Sequence, residues 1–496
     1  MTHVSRRSLL RGAAGTALGL AVAGPYRGFA AHAQRGFPRV LGYGNLTPVA
    51  DLRDDVERLA LPPGFQYRSF QPQGTPIPGT SFALPGRHDG MGAFPGPDGR
   101  TILVRNHEIN GNRVSRTPGT GGRPPAFERT LGDGVGGYDP DANGGTVNVD
   151  VDGKGNVFGT YISLEGTQMN CAGGTTPWGS WLTCEETVNG PDVGPDFTGT
   201  PNTLQRKHGY VFEVPSSGPS NQVPIRSMGR FAHEAAVPEP NGKYVYLTED
   251  NFGFPSGFYR YAVPNKPKRD GFVADGGTLQ MLAVVGQPGA ELDRHQTPGT
   301  RYDVTWVDID DPDPDMTGKT NNQAIVAVGD QGRAKGAARF SRLEGAVAAD
   351  GRIYFTSTQG GEADTIVGTN GTYEAVNDGY GRGRGQVWAY QPGPERLTCV
   401  YQSPGSSALD LPDNVAASTS GALVLCEDNV APNFLRGLTP QGEIFDFARN
   451  IDPNQIEQEF AGARFSPDFQ TMFVNIQSST GYSIAIWGPW ANGPFA

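Results

Sequence analysis

Along most of the chain, apolar residues come in short runs of strand length, many alternating with polar residues, and each run is bounded by Gly, Pro, Asp or Asn. A period of two with turn-formers at both ends predicts β-strands rather than helices. The runs also repeat. An acidic or polar residue, small residues, a turn and a hydrophobic strand with a polar end recur in six segments. These are Asp89–Glu108, Cys171–Glu186, His233–Asn251, Leu343–Gln359, Pro412–Asn429 and Phe460–Gln477. A second strand follows several of them, at Gly209–Val214, Gly257–Val263, Gln386–Gln391 and Tyr482–Trp487. Like hairpins set around a ring bury one another's apolar faces, so the pattern predicts an all-β fold, a six-bladed β-propeller. A β-sandwich would account for the strands but not for six similar units. Stretches rich in Gly, Asn and charge at Gly111–Gly145, Thr187–His208 and Gly361–Gly385 read as loop insertions between blades. The main helical candidate is short and polar, Val49–Leu59.

The N-terminus departs from this pattern. Ser5-Arg6-Arg7-Ser8-Leu9-Leu10 precedes a weakly hydrophobic run, Ala13–Gly24, too short for a bilayer, which takes about 20 apolar residues. Ala31-His32-Ala33 has the small residues of a cleavage site. Residues 1–33 are therefore expected to be a twin-arginine signal peptide, and 34–496 a single propeller domain. Such a signal predicts export in folded form through the twin-arginine translocation machinery, to the periplasm or outside the cell. The alternative is an ordinary secretory signal with two basic residues. No other stretch is long and apolar enough to span a membrane, and mean hydropathy is -0.42.

Composition narrows the chemistry. The 71 glycines and 41 prolines are spread along the chain, as many short strands require. Four cysteines in 496 residues make no disulfide scaffold, and Cys184 and Cys426 fall inside predicted strands as small buried hydrophobes. A net charge of -11 excludes a nucleic-acid partner, which needs a basic face. The same acidity repels phosphorylated substrates, so a site for them must gather cations or arginine.

In a propeller the innermost strands line one channel, so equivalent positions of the repeats converge. Asp89, Cys171, Glu234, Glu344 and Asp413 stand at the repeat starts. Asn106-His107-Glu108, Glu185-Glu186, Glu249-Asp250-Asn251 and Glu427-Asp428-Asn429 stand at the strand exits. Such a crowd of carboxylates stays ionised only around multivalent cations. Carboxylate and amide oxygens suit Ca²⁺, and a thiolate among them suits a transition metal such as iron. No Gly-x-Ser-x-Gly elbow, His-Glu-x-x-His or P-loop competes. Asp150–Asn156 begins like a calcium loop but carries Tyr161 where the closing Glu belongs, so a hairpin turn is expected. Asp308–Asp315 reads as a solvated loop. His107 and His233 sit beside candidate ligands, with a supporting role favoured over ligation.

The segment Asn170-Cys171-Ala172-Gly173-Gly174-Thr175-Thr176-Pro177-Trp178-Gly179-Ser180-Trp181-Leu182-Thr183-Cys184-Glu185-Glu186 resembles the signature of PhoX-type alkaline phosphatases. Gly229–Glu234, Ser341–Gly345 and Pro412–Asn414 are similar to that family's motifs in the same order, together with the export signal. The resemblance implies a metal-dependent hydrolase of phosphomonoesters, with an Fe³⁺ pair and several Ca²⁺ ions. It implies Cys171 as thiolate ligand to iron, Glu234 and Glu344 as carboxylate ligands, and Arg342 as the group that holds phosphate. Arg342, Glu344 and Cys171 would then form the catalytic set. Glu186, Asp413, Glu427 and Asp428, with Glu108 and Glu249 at the remaining exits, would complete the metal shell. The expected partner is a small phosphorylated molecule, and the protein is expected to be a monomer. Shorter insertions than in longer family members imply a more open site. Two other readings stand: a calcium-only propeller hydrolase of lactonase or phosphodiesterase type, to which Cys171 would be useless, and a periplasmic binding propeller without activity. A plain ion pair between Arg342 and Glu344 is the simplest structural alternative for those residues.

Overall fold

The structure, a computed structural model, describes residues 42–110, 130–195, 203–265, 267, 271–363 and 379–496. The expected signal peptide and parts of the three expected insertions lie outside them. Among the described residues, no helix is long and apolar enough to cross a membrane.

Strands dominate. In chain order they begin with β1 (Thr47–Ala50), β2 (Glu57–Leu61), β3 (Gln66–Phe70), β4 (His88–Pro95), β5 (Thr101–His107), β6 (Gly144–Val151) and β7 (Val157–Thr167). Next come β8 (Asn170–Thr175), β9 (Ser180–Glu185), β10 (Val211–Pro215), β11 (His233–Pro238), β12 (Tyr244–Glu249), β13 (Phe258–Ala262), β14 (Thr278–Val284) and β15 (Arg301–Asp308). Two short helices follow, α1 (Asn321–Ile325), opened by a Thr320/Gln323 capping box, and α2 (Ala327–Ala334). The chain then runs through β16 (Leu343–Ala349), β17 (Arg352–Ser357), β18 (Gln386–Gln391), β19 (Arg396–Gln402), β20 (Pro412–Ala417), β21 (Leu423–Glu427), β22 (Phe434–Leu438) and β23 (Ile444–Asn450). It ends on β24 (Phe460–Phe465), β25 (Thr471–Ile476) and β26 (Tyr482–Trp487).

Each of the six repeats forms an antiparallel pair: β4–β5, β8–β9, β11–β12, β16–β17, β20–β21 and β24–β25. The first strand of each pair packs on the first strand of the next, and β24 packs back on β4. The arrangement is all-β and propeller-like. Hydrogen bonding does not divide it into six separate sheets, because β15 pairs with β19 and joins two repeats in one nine-stranded sheet. The chain also closes on itself. β3 adds to the last sheet beside β26, and the β1–β2 hairpin adds to the outer strand β23.

The apolar faces fill the spaces between sheets. Tyr246, Phe258, Phe355 and Trp388 lie between the third and fourth repeats, and Phe65, Phe445, Phe447 and Trp490 between the fifth and sixth. Fully burying side chains of this size contributes about 2–3 kcal/mol each. The helix expected over Val49–Leu59 is instead the β1–β2 hairpin. Buried Asp51 explains the difference: its carboxylate accepts from the backbone N–H of Arg53 (2.9 Å) and of Ser69 (3.0 Å), and from Arg58 (2.9 Å). A polar stretch that reads as helical is thereby turned back on itself.

Candidate metal centre

In all six repeats the pairing slips by one residue near the start of the first strand. His88 faces His107, yet Met91 faces Arg105, and the same slip recurs at the other five positions. This is a β-bulge, which inserts one residue and re-aims the local side chains. The residues lifted are Asp89, Cys171, Glu234, Glu344 and Asp413, with Gly462 in the sixth repeat. Close approach keeps the ring tight. A Cβ on Gly90 would meet Ala172 Cα at 2.6 Å, and one on Gly345 would meet Asn414 Cα at 2.7 Å.

The exits of the second strands are also equivalent. Backbone N–H groups of Glu108, Glu186, Asp250, Thr358, Asp428 and Gln477 donate to the residue that precedes each first strand, at 2.8–3.2 Å. Adjacent strand residues point to opposite faces. The acid one residue earlier therefore turns into its own sheet, where it ties down the start of the third strand. Glu185 accepts from the N–H of Gly209 (2.8 Å), Glu249 from that of Gly257 (2.8 Å) and Glu427 from that of Phe434 (3.0 Å). Glu249 also accepts from the Tyr259 hydroxyl (2.9 Å), and Glu427 pairs with Arg436 (2.8 Å). Two acids expected as metal ligands, Glu249 and Glu427, are thus placed in structural roles.

The other expected ligands are gathered. Cys171, Glu186 and Glu234 offer ligand atoms within 4.8 Å of one another, and so do Glu234, Glu344 and Asp413. All are buried, and Glu234 belongs to both groups. Asp428 lies beside them, acting electrostatically on Asp413 and on Arg342. Glu108 acts likewise on Asp89 and pairs with Arg87 at 3.7 Å. Arg342 has a left-handed backbone (φ 45°), rare for a long side chain. Its Nε and Nη2 grip Asp250 at 3.1 and 2.9 Å, and Nη2 also reaches Glu344 at 2.7 Å. The guanidinium lies 5.2 Å from the Phe252 ring centre. The ion pair to Glu344 is present, and Nη1 remains without a hydrogen bond among the described residues. Asp250, the anchor of Arg342, was one of three polar residues at its strand exit and carried no sequence signal setting it apart.

Crowding raises the proton affinity of these groups. Burial, then the charges of Glu344 and Asp413, push Glu234 well above the usual carboxylate range. Burial, then Asp428, lift Asp413 to about 8 against the opposing pull of Arg342. Burial, then Glu234 and Glu186, raise the Cys171 thiol. Asp89 is raised by burial, Asp413 and Glu108; one oxygen accepts from Gln477 (2.6 Å) and the other, buried, has no hydrogen-bond partner among the described residues. A thiol, clustered carboxylates and an orphaned carboxylate oxygen fit multivalent cations, which would favour every charged form at once.

The remaining candidates are placed elsewhere. His107 and His233 are buried, pushed down to about 3 chiefly by burial, and bonded to the carbonyls of Gly86 (3.0 Å) and Gly229 (2.9 Å). Trp178 and Trp181 are core, bonded to Glu213 (2.6 Å) and Asn106 (3.0 Å). Asp152 closes the β6–β7 turn by accepting from Lys154 and Asn156 backbone (2.8 and 2.9 Å), so no calcium loop forms there. In the 308–315 loop Asp310 pairs with Lys335 (2.6 Å). All four cysteines are free and buried. A cavity of about 500 Å³ opens beside the fifth repeat, lined by Arg384, Asp410, Asn429 and Phe434 among others.

A thiol and buried acids gathered on a propeller-like ring, beside an arginine with a free donor, define a metal-dependent hydrolase of anionic esters. The chain belongs to the alkaline phosphatase PhoX family, whose model matches residues 41–480. It is a metal-dependent phosphatase that hydrolyses phosphomonoesters. Among solved structures it is similar to Pseudomonas fluorescens PhoX in complex with vanadate, a transition state analogue, at 18% identity and a TM-score of 0.64. That match covers 92% of this chain and 99% of the other. A gluconolactonase from Xanthomonas campestris matches at 10% identity and a TM-score of 0.34, over 82% of this chain and 97% of that one. The periplasmic gluconolactonase of Pseudomonas aeruginosa matches at 13% and 0.32, over 81% and 84%. No curated protein matches by sequence.

Proposed function

We propose that the chain is an exported phosphatase on a six-bladed propeller, with an iron pair at Cys171, Glu186 and Glu234 and calcium toward Glu344, Asp413 and Asp428. The observation that carries this reading is the pair of buried ligand groups sharing Glu234, with Arg342 fastened to Glu344 at their edge. Six blades follow if the nine-stranded sheet counts as two blades fused through β15 and β19, one for each repeat. The ring closes within one chain, which favours a monomer. The two arginines and cleavage site of residues 1–33 favour twin-arginine export to the periplasm or beyond.

The cations would supply Lewis acidity to the phosphoryl group and make a protein nucleophile unnecessary. The chain's own residues do the positioning. Asp250 and Glu344 hold the Arg342 fork in place before substrate arrives, and Nη1, which those bonds do not use, would be the donor left for a phosphoryl oxygen. Charge that spreads over the phosphoryl oxygens in the transition state then meets a guanidinium needing no reorganisation. The cavity beside the fifth repeat, whose lining includes Leu411 and Asn429, close in sequence to Asp413 and Asp428, would give the alcohol portion room. In P. fluorescens PhoX the bound vanadate is described as a transition state analogue, which accords with phosphoryl chemistry here.

The test is hydrolysis of p-nitrophenyl phosphate by the mature protein at alkaline pH with calcium, before and after chelation. Turnover lost on chelation and restored by calcium is expected. No turnover in protein shown to hold both iron and calcium would overturn the reading.

A further inference from the structure

A bulge that lifts a ligand also takes its backbone carbonyl out of the strand ladder, and a buried carbonyl needs a partner. The partners come from neighbouring repeats. Asn475 Nδ2 donates to the Asp89 carbonyl at 2.6 Å, from the sixth repeat to the first. Asn106 Nδ2 donates to the carbonyls of Cys171 (2.8 Å) and Ala172 (2.9 Å), from the first to the second. Thr248 donates to the Glu344 carbonyl and Thr356 to the Asp413 carbonyl, each at 2.6 Å. Four of the five bulges with a ligand are held this way, each from the repeat before.

We infer that Asn106 is a positioning residue for the Cys171 thiol, one member of a set in which each repeat holds the ligand of the next. Asn106 was visible in the sequence only as a candidate ligand at a strand exit. The structure turns its amide away from that use. Two successive carbonyls bound by one amide fix the peptide planes on both sides of Ala172, and with them the direction in which Cys171 projects. The amide itself cannot turn over, because its oxygen accepts from Trp181 Nε1 (3.0 Å) and from the Thr183 hydroxyl (2.9 Å). The side chain is fully buried, so water offers no substitute. The sixth repeat has Gly462 where the others carry a ligand, yet Asn475 and Gln477 both hold Asp89 from it. Its place in the centre is to position rather than to bind.

This inference rests on the metal reading above, and its test separates the two. N106D puts an oxygen where the amide donates, against two carbonyls. In the metal-loaded protein, N106D should lower affinity for iron about tenfold or more and weaken the thiolate-to-iron absorption band, with calcium content unchanged. T183V, which keeps Asn106 but removes one of its locks and the acceptor of Asn170 Nδ2 (3.0 Å), should shift the same band less. In metal-free protein the alkylation rate of Cys171, read by peptide mass spectrometry, should change severalfold in N106D. Wild-type band, iron affinity and alkylation rate in both folded variants would overturn the inference. A wild-type protein that takes up no iron would instead sink the metal assignment, and the alkylation rate would still judge Asn106.

Discussion

Arg342 joins a left-handed backbone to a guanidinium tied on two sides, and the two features can be separated by substitution. Removing a preorganised donor aimed at developing charge costs about 10²–10³ in rate. R342A should lose turnover by that order while remaining folded, and R342K should not restore it, since an ammonium lacks the fork. A residue at positive φ stores about 1–3 kcal/mol of strain. R342G should therefore melt at a higher temperature than R342A although both lose turnover by the same order, which differential scanning calorimetry would read. E427Q should behave in the opposite way, with a lower melting temperature and near wild-type turnover per folded molecule, because Glu427 holds Arg436 and the start of β22. Large loss of turnover in E427Q would return that acid to the metal shell. The sequence could not choose between Glu427 and Asp428, or between Glu249 and Asp250. Two adjacent acids at a strand end differ by one step of alternation, and the sequence pattern does not say which of them turns into its own sheet.

The six hairpins were readable because each carries its own strand pattern and turn. The bulge was not, because Asp-Gly, Cys-Ala, Glu-Ala, Glu-Gly, Asp-Asn and Gly-Ala have no one residue type common to all six at that place. The β1–β2 hairpin was missed because its cause, Asp51 bonded to Ser69, lies outside the local pattern. A second link between elements has a consequence for pH. His208, just before β10, is fully buried between Glu185 of β9 (2.6 Å) and Asp139 (3.3 Å). Burial disfavours its charge, but the two carboxylates prevail and raise it to about 9. A group raised on folding stabilises fully below its unfolded value and loses that contribution as pH rises through the folded one. The gain, on the order of 3 kcal/mol, should be present near pH 6 and be lost as pH rises through about 9. Melting curves of wild type and H208Q should differ at pH 6 and converge above pH 9. Parallel curves across that window would remove His208 from the account.

At the scale of the whole molecule, the cations and the ring are expected to depend on each other. Chelation would leave buried, mutually repelling carboxylates, and binding at a thousandfold over Kd is worth about 4 kcal/mol per site. The melting temperature should fall on the order of 10 °C on chelation and recover with calcium. The N-terminal strand β3 completes the last sheet, beside β26. During synthesis that strand waits unpaired while more than four hundred further residues are made. Asp89 in turn gains the groups that hold it, Asn475 and Gln477, only when the sixth repeat is made. A chain released a strand early therefore carries every candidate ligand, yet its last sheet lacks the pairing of β26 with β3 and the ring is left open.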